Sequence, residues 1–504
     1  MPIDLNDSSL EAQFSFGDVS GNVVDDPPFY ILALGNWSGD ADKRDLSSRR
    51  PIEIDRDNFD EVIERLGTRV SLDFEDGSVI ELEFTSLDDF HPDEIFRKVD
   101  MFDQLRSLRK RLNNSDSFRD AAYDAKQLFG LKREDVTTPS SPVDEEPAAD
   151  NLLDAILTKP EGGAAAPKRK LSGELGSLVS ELVRPHLVTV DEEQQSNLVG
   201  LVDTATSGLM RQILHHRKFQ ALEAAWRGLF FLVRRTETSS DLRIYILDAS
   251  KDEVSNDLKD AEGLSATNLY KILVRDAVET QEADPWSLVI GDYAFAPVVD
   301  DVAALMRISK ISAAAGAPFV SHMRPDVLGV HSLYDHPDPA EWNVSADSDA
   351  GKLWTALGGQ VESQFLGMTI PRFIARLPYG SDTEPLDTFL FEEFASVSEH
   401  DNYLWANGCF AVAQLLADSF ANYGWEMKNR ISQDIERLPL HVYKQHGETI
   451  YKPCAEIPMT DVSVNKLIAA GFMPLVSYRG TDRVKLAMFQ SIADGGKKLL
   501  GRWG

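Results

Sequence analysis

The sequence predicts an α/β protein assembled from a small N-terminal α/β half and a larger C-terminal α/β half. The apolar run "FYILAL" at residues 29–34 and the period-two segment "SVIELEF" at 78–84 read as strands, with a helical stripe between them. Beyond residue 240, strand, helix and strand follow one another at the spacing of a βαβ crossover. A stretch rich in Pro, Gly, Ala and charge, residues 131–190, separates the two halves and reads as a flexible linker.

The N-terminal "MPIDLNDSSLEAQF" has neither a basic start nor an apolar core, so no Sec-type signal peptide is expected. "FYILAL" is a strand of the buried kind. In "IDRDNFDEVIERL", Asp55 is the expected helix cap, and Phe59, Val62, Ile63 and Leu66 share one face. An Asp76-Gly77 turn leads into "SVIELEF". Ile95, Val99, Phe102, Leu105, Leu108 and Leu112 form a second stripe. Arg106, Arg109, Lys110 and Arg111 crowd its C-terminal end, where the helix dipole favours cations. Inside the linker one apolar island, "NLLDAIL", sets Leu152, Leu153, Ile156 and Leu157 at helical spacing. A tethered recognition helix and a helix docked on the second half both satisfy that pattern.

The larger half begins with a helical stretch, Asn197 to Val233. Phe219, Leu222, Trp226, Leu229 and Val233 lie on one stripe of it, each worth about 1.5–3 kcal/mol if buried, which makes a core helix. His215 and His216 are adjacent and so point roughly 100° apart, unlike the i, i+4 pair of a helical zinc site. Arg227 and the Arg234-Arg235 pair read as a solvated or subunit-facing edge, because no Gly-rich loop precedes the helix. "LRIYILDAS" and "WSLVIGDYAF" are strands. "VVDDVAALMRISKISAAAGAPFV" is a helix closing on Gly316 before a third strand. Asp292, at the end of its strand, is the best-placed carboxylate for chemistry, though no partner for it is identifiable. In "MTIPRFIARLPYG", Arg372 and Arg376 stand at i, i+4; a surface helix paired to acidic neighbours is favoured over an anion clamp.

Composition excludes several functions. In 504 residues, 51 Lys plus Arg face 82 Asp plus Glu, a net charge of −31 that repels nucleic acid and anionic lipid. Cys409 and Cys454 are too few for a disulfide framework or a Cys-based zinc site, which fits a reducing compartment and the cytoplasm. The most apolar stretch, Phe219 to Val233, is interrupted by Glu223 and Arg227, so no membrane insertion is expected. No GxxxxGK[ST], GxSxG or HExxH occurs. No catalytic residue, cofactor or metal is therefore expected. A hydrolase using Asp292 or the His215-His216 pair is the rival of another class.

"RRPIEIDRDNFDEVIERLGTRVSLDFEDGSVIELEFTSLDDFHPDEIFRKVD" resembles the small sheath subunit of bacterial type VI secretion systems, the TssB/VipA family, over roughly residues 14–130. "HHRKFQALEAAWRGLFFLVRRTET", "LVIGDYAF", "ISAAAGAPF", "GMTIPRFIARLPYG", "FEEF", "YLWANGCFAVAQLLADSFANYGW" and "GFMPLVSYRGTD" resemble, in order, the large subunit, the TssC/VipB family. The resemblance implies sheath-subunit-type mixed α/β domains: residues 1–130 like the small subunit, 131–190 a linker with a short helix at 151–159, and 191–504 like the large one. It implies a cytoplasmic structural protomer that polymerises with itself around an inner tube and contracts to drive it through the envelope.

Baseplate and sheath-cap components, a recycling AAA+ unfoldase and a separate large sheath subunit are the other partners implied. Leu152, Leu153, Ile156 and Leu157 resemble the unfoldase-recognition helix. Leu105, Arg109, Lys110 and Arg227 are the candidate assembly interface. Relative to the family, "NRISQDIERLPLHVY" replaces a Gly-rich segment, and "KKLLGRWG" stands where the large subunit continues into a C-terminal segment. A shortened large subunit is thus expected, and a non-polymerising adaptor or cap at a sheath end or baseplate is the alternative.

Overall fold

The computed structural model describes residues 27–129 and 194–503, apart from 76, 282, 344–346 and 395–399. The linker and the expected helix at 151–159, with Leu152, Leu153, Ile156 and Leu157, lie outside the described residues.

The strands are β1 (Phe29–Gly35), β2 (Ile52–Ile54), β3 (Arg69–Asp73), β4 (Val79–Glu83), β5 (Leu242–Asp248), β6 (Trp286–Phe295), β7 (Phe319–Met323) and β8 (Leu366–Ile370). They continue with β9 (Phe373–Ile374), β10 (Trp405–Ala406), β11 (Asp434–Ile435), β12 (Val442–Gln445), β13 (Glu448–Tyr451), β14 (Met473–Ser477) and β15 (Val484–Leu486). One nine-stranded sheet runs β11-β15-β14-β8-β7-β6-β1-β5-β2. From β5 through β1, β6, β7 and β8 to β14 every pairing is parallel, while β2, β15 and β11 close the edges antiparallel.

The expected α/β class is the one observed, but the two halves are not separate layers. β1 belongs to the N-terminal half and lies between β5 and β6 of the C-terminal half, with Leu32 opposite Tyr245 and Ile31 opposite Leu288. Every residue of β1 is buried, which is why the strand reads as a continuous apolar run. Alternation still sorts its side chains. Phe29, Ile31 and Ala33 enter the core that holds Trp226 and Phe410; Tyr30, Leu32 and Leu34 enter the opposite one, with Leu305 and Phe472.

Several local expectations change. The helical stretch from residue 197 is two helices, Gln194–Leu214 and Arg217–Arg235, broken at the histidine pair. His216 is extended, and its ring accepts a hydrogen bond from the Lys218 N–H, so it caps the second helix. Asp55 does not cap its helix. Its carboxylate accepts from the N–H groups of Asp57 and Asn58 and shapes the turn ahead of Phe59–Leu66, whose N-cap is Asn58. Gly316, at φ 65°, ends Val299–Ala315 in the left-handed conformation that favours glycine. Arg372 and Arg376 are not on a helix. Phe373 and Ile374 pair with Ala406 and Trp405 as an extended segment, and Pro371 supplies no N–H for a helix to use.

Candidate functional site

Among the described residues, those that join the two halves form a dense set of side-chain contacts. The helix Arg217–Arg235 crosses the N-terminal half with its apolar stripe inward. Trp226 is fully buried, packs 5.5 Å from the Trp37 ring and 5.6 Å from Phe59, and donates its indole N–H to the Trp37 carbonyl at 2.9 Å. Trp37 in turn donates to the Leu247 carbonyl at 3.1 Å, tying the end of β1 to β5. Asp248, at the end of β5, accepts from Ser38 N–H at 3.1 Å and from the Ser38 hydroxyl at 2.7 Å. Asp93 reaches the other way and accepts from the N–H groups of Asp387 and Thr388, both at 3.1 Å.

A buried charge network lies beneath this seam. The Arg376 guanidinium is 6% exposed and bonds Glu223 at 2.7 and 3.2 Å and Glu393 at 2.7 and 3.1 Å. Arg227 completes it, donating to Glu223 at 2.6 Å and to the Tyr379 hydroxyl at 3.1 Å. Two carboxylates thus face two guanidiniums, and the cluster is neutral. Burial pushes the Glu393 carboxyl up, but Arg376, His215 and the Tyr379 N–H outweigh it and hold the group down at about 2. Burial pushes the Tyr379 phenol up to about 12. Such a network fixes which groups meet more than it adds stability, because desolvation offsets much of the attraction.

Of the residues singled out from the sequence, Leu105 and Arg109 lie where the two halves meet, whereas Arg227, His215, Asp292 and Arg372 meet partners inside the C-terminal half. Leu105 is a core residue, 3% exposed, on the helix Asp100–Leu112 that packs against Gln194–Leu214. Arg109, on the same helix, pairs bidentately with Asp203 of the C-terminal half at 2.6 and 3.2 Å, and Lys110 beside it is exposed. Arg227 is not on a solvated edge but inside the network described above. His215 meets Glu393 at 3.5 Å. Asp292 sits in the irregular stretch of β6, where burial pushes its carboxyl up to about 7 against a hydrogen bond from the Asn407 side chain. Arg372 pairs with Glu456, and burial of that carboxylate is outweighed by Arg372, which keeps it well below the usual range.

Sequence reasoning missed Glu223 and Glu393 as the partners of Arg376, and Trp37 as the partner of Trp226. The "FEEF" segment was the available signal for Glu393, which alternates inward with Phe391 while Glu392 between them stays exposed. Among the described residues no group of three or more His, Cys, Asp or Glu side chains is arranged to hold a metal ion. No helix among them is long and apolar enough to cross a membrane.

The two halves thus form one mixed α/β body joined by a shared sheet and the Trp37–Trp226 contact, with no metal-binding group among the described residues. The tail sheath N-terminal domain family, VipB (EvpB), matches residues 196–493, so the chain belongs to that family. The VipA family of the type VI secretion system matches residues 20–130 of the same polypeptide. Among similar proteins, the type VI secretion system sheath protein TssC1 of Pseudomonas aeruginosa is 33% identical over 302 residues, covering 59% of this chain and 61% of TssC1. The sheath protein TssB1 of the same organism is 28% identical over 116 residues, 21% of this chain and 67% of TssB1.

Proposed function

We propose that this chain is a structural, non-enzymatic protomer of a type VI secretion contractile sheath, with small-subunit-like and large-subunit-like parts joined in one polypeptide. The observation that carries the proposal is the placement of β1, buried along its whole length between β5 and β6. A strand held that way cannot leave without exposing both cores, so the two parts act as one body. Joining them through residues 131–190 fixes their ratio at one to one and raises the effective concentration of each for the other.

In this proposal the cytoplasmic protomer polymerises around an inner tube, and extended and contracted arrangements of the same body store the work of contraction. The inner-tube protein, baseplate and cap components and a recycling unfoldase are its partners, the last through Leu152, Leu153, Ile156 and Leu157. Electron microscopy of the purified full chain tests the proposal. Striated tubes are the expected result; monodisperse particles at all concentrations would reject self-assembly and favour an adaptor or cap.

A further inference from the structure

Beyond the carboxyl ends of β1 and β5 lies a cleft of about 800 Å³, bounded by the loop that follows β1, the edge strand β2 and the end of the helix Phe59–Leu66. Its lining carries five cations, Lys43, Arg44, Arg49, Arg50 and Arg65, against the four carboxylates of Asp42, Glu53, Asp55 and Asp248, in a chain of net charge −31. Arg44, Arg50 and Arg65 all line it and all are exposed. Among the described residues, none of the three has a carboxylate within 4.0 Å; Arg50 donates only to the carbonyls of Ser47 and Arg49.

Each acidic residue of the cleft already has a partner, Asp248 among them through Lys43 at 3.4 Å. Asp42 pairs with Arg69 at 3.0 Å, and Glu53 with Arg243 at 3.4 Å. Asp55 accepts two backbone N–H groups, and Asp248 binds Ser38. What the cleft presents without an ionic partner is therefore guanidinium, beside the exposed but paired carboxylates of Asp42 and Glu53.

We propose that the cleft rimmed by Arg44, Arg50 and Arg65 docks a carboxylate-rich surface of a second copy of this chain. Charge complementarity selects that occupant. Two bodies of net charge −31 repel at long range, so contact between copies requires a local site where one copy offers cations to the carboxylates of the next. Guanidiniums set around a rim, each with a planar fork of donors, suit several carboxylates spread over a surface better than one small anion. A basic cleft meeting a different, acidic patch is a heterologous contact, which does not close on itself and generates open helical polymers. The inference rests on the self-assembling function proposed above and locates one contact of that assembly.

The test uses the full chain in sedimentation velocity across a concentration series, with thermal melting as a check on folding. Combined Arg44→Glu, Arg50→Glu and Arg65→Glu substitution is expected to raise the concentration needed for assembly by about tenfold or more without moving the melting curve. Raising the salt to 1 M, where the Debye length falls to about 3 Å, is expected to weaken wild-type assembly in the same direction. A second variant, Arg50→Lys, keeps the charge and adds an amine that a carbodiimide can join to a touching carboxylate. In a mixture of light and heavy-isotope chains, a mixed-label cross-link from residue 50 is expected. Undiminished assembly of the triple variant, or cross-links confined to single chains, would overturn the docking site alone. A wild-type chain that never assembles would overturn both this inference and the function on which it rests.

Discussion

The indole N–H of Trp226 donates to the carbonyl of Trp37 across 2.9 Å, joining residues from opposite sides of the linker at a point where both side chains are wholly buried. Trp226→Phe keeps most of the ring but leaves that carbonyl only the longer bond from the Thr68 hydroxyl, at 3.3 Å. The expected loss is about 0.5–1.5 kcal/mol, the net worth of one hydrogen bond, read from the urea midpoint. Because both indoles lie in one core, fluorescence and far-UV circular dichroism are expected to report a single coincident transition. Two separated transitions would contradict the shared sheet.

The Arg376 network gives a larger effect. Arg376→Ala leaves Arg227 on Glu223 but strips Glu393 of its guanidinium, and an unpaired buried charge costs about 3–5 kcal/mol. Adding Glu393→Gln, which leaves the Arg227–Glu223 pair intact, is expected to recover part of that loss, although a further residue has been changed. Glu393 also sets a pH dependence. Its carboxyl is held at about 2 in the folded chain, so its contribution is present above the ordinary carboxylate range and is lost as pH falls from about 4.3 toward 2. Acid titration of wild type against Glu393→Gln checks this: the slope in that window is expected to be shallower in the variant.

Much of this was legible in the sequence, and the gaps have physical causes. Burial of "FYILAL" was visible because a strand covered on both faces has no polar alternation, but its neighbours β5 and β6 are more than 200 residues away, and pairing across that distance leaves no local period. The stripe through Trp226 was visible for the same reason that it is buried. The helix break at His216 was not, because a histidine ring acting as a cap carries none of the usual Ser, Thr, Asp or Asn signature. Arg372 and Arg376 were noticed for their spacing, which was helical by coincidence. Their partners Glu456 and Glu223 come from distant segments, and Glu393 from a loop 17 residues on from Arg376.

Gly228 marks where two core helices touch. A Cβ at this position would come within 2.4 Å of the Phe410 ring, and Phe410 is itself fully buried. Gly228→Ala is therefore expected to destabilise by about 1–3 kcal/mol, the range for overpacking, despite the better helix propensity of alanine. Phe410→Leu removes the obstructing ring edge, so the two changes together are expected to cost less than their sum in a double-mutant cycle. Simple additivity would mean that the helices separate freely at this contact.

Arg109 and Lys110 separate folding from assembly. The Arg109–Asp203 pair is about half exposed on both sides, at 51% and 44%, so screening limits it to roughly 0–1 kcal/mol. Combined Arg109→Glu and Lys110→Glu is expected to shift melting only slightly while reducing assembly, if this helix end faces another protomer. Asp203→Arg added to Arg109→Glu restores the internal pair with its sign exchanged. Recovery of assembly by that exchange would assign Arg109 to the internal seam; failure to recover would assign it to the outer contact.

Lys452 gives the pH dependence of opposite sign. It follows β13, lies 2.8 Å from the His400 ring nitrogen, and stands over the rings of Tyr334 and Tyr403, each at 4.7 Å. Burial pushes its ammonium down to about 8, with Glu456 and Asp401 opposing the shift. A lysine near 10.4 in the unfolded chain holds its proton longer than this one does in the folded chain. Between about pH 8 and 10.4 the unfolded state therefore binds more protons, and this group's contribution to stability rises with pH and is then level. Lys452→Met abolishes that term, so the difference in melting temperature between wild type and variant is expected to move in favour of wild type from pH 7.5 to 9.5. A difference independent of pH would mean that the rings and His400 hold the ammonium as well as water does, and that the hairpin formed by β12 and β13 is anchored by a fixed cation–π contact, not by a titrating one.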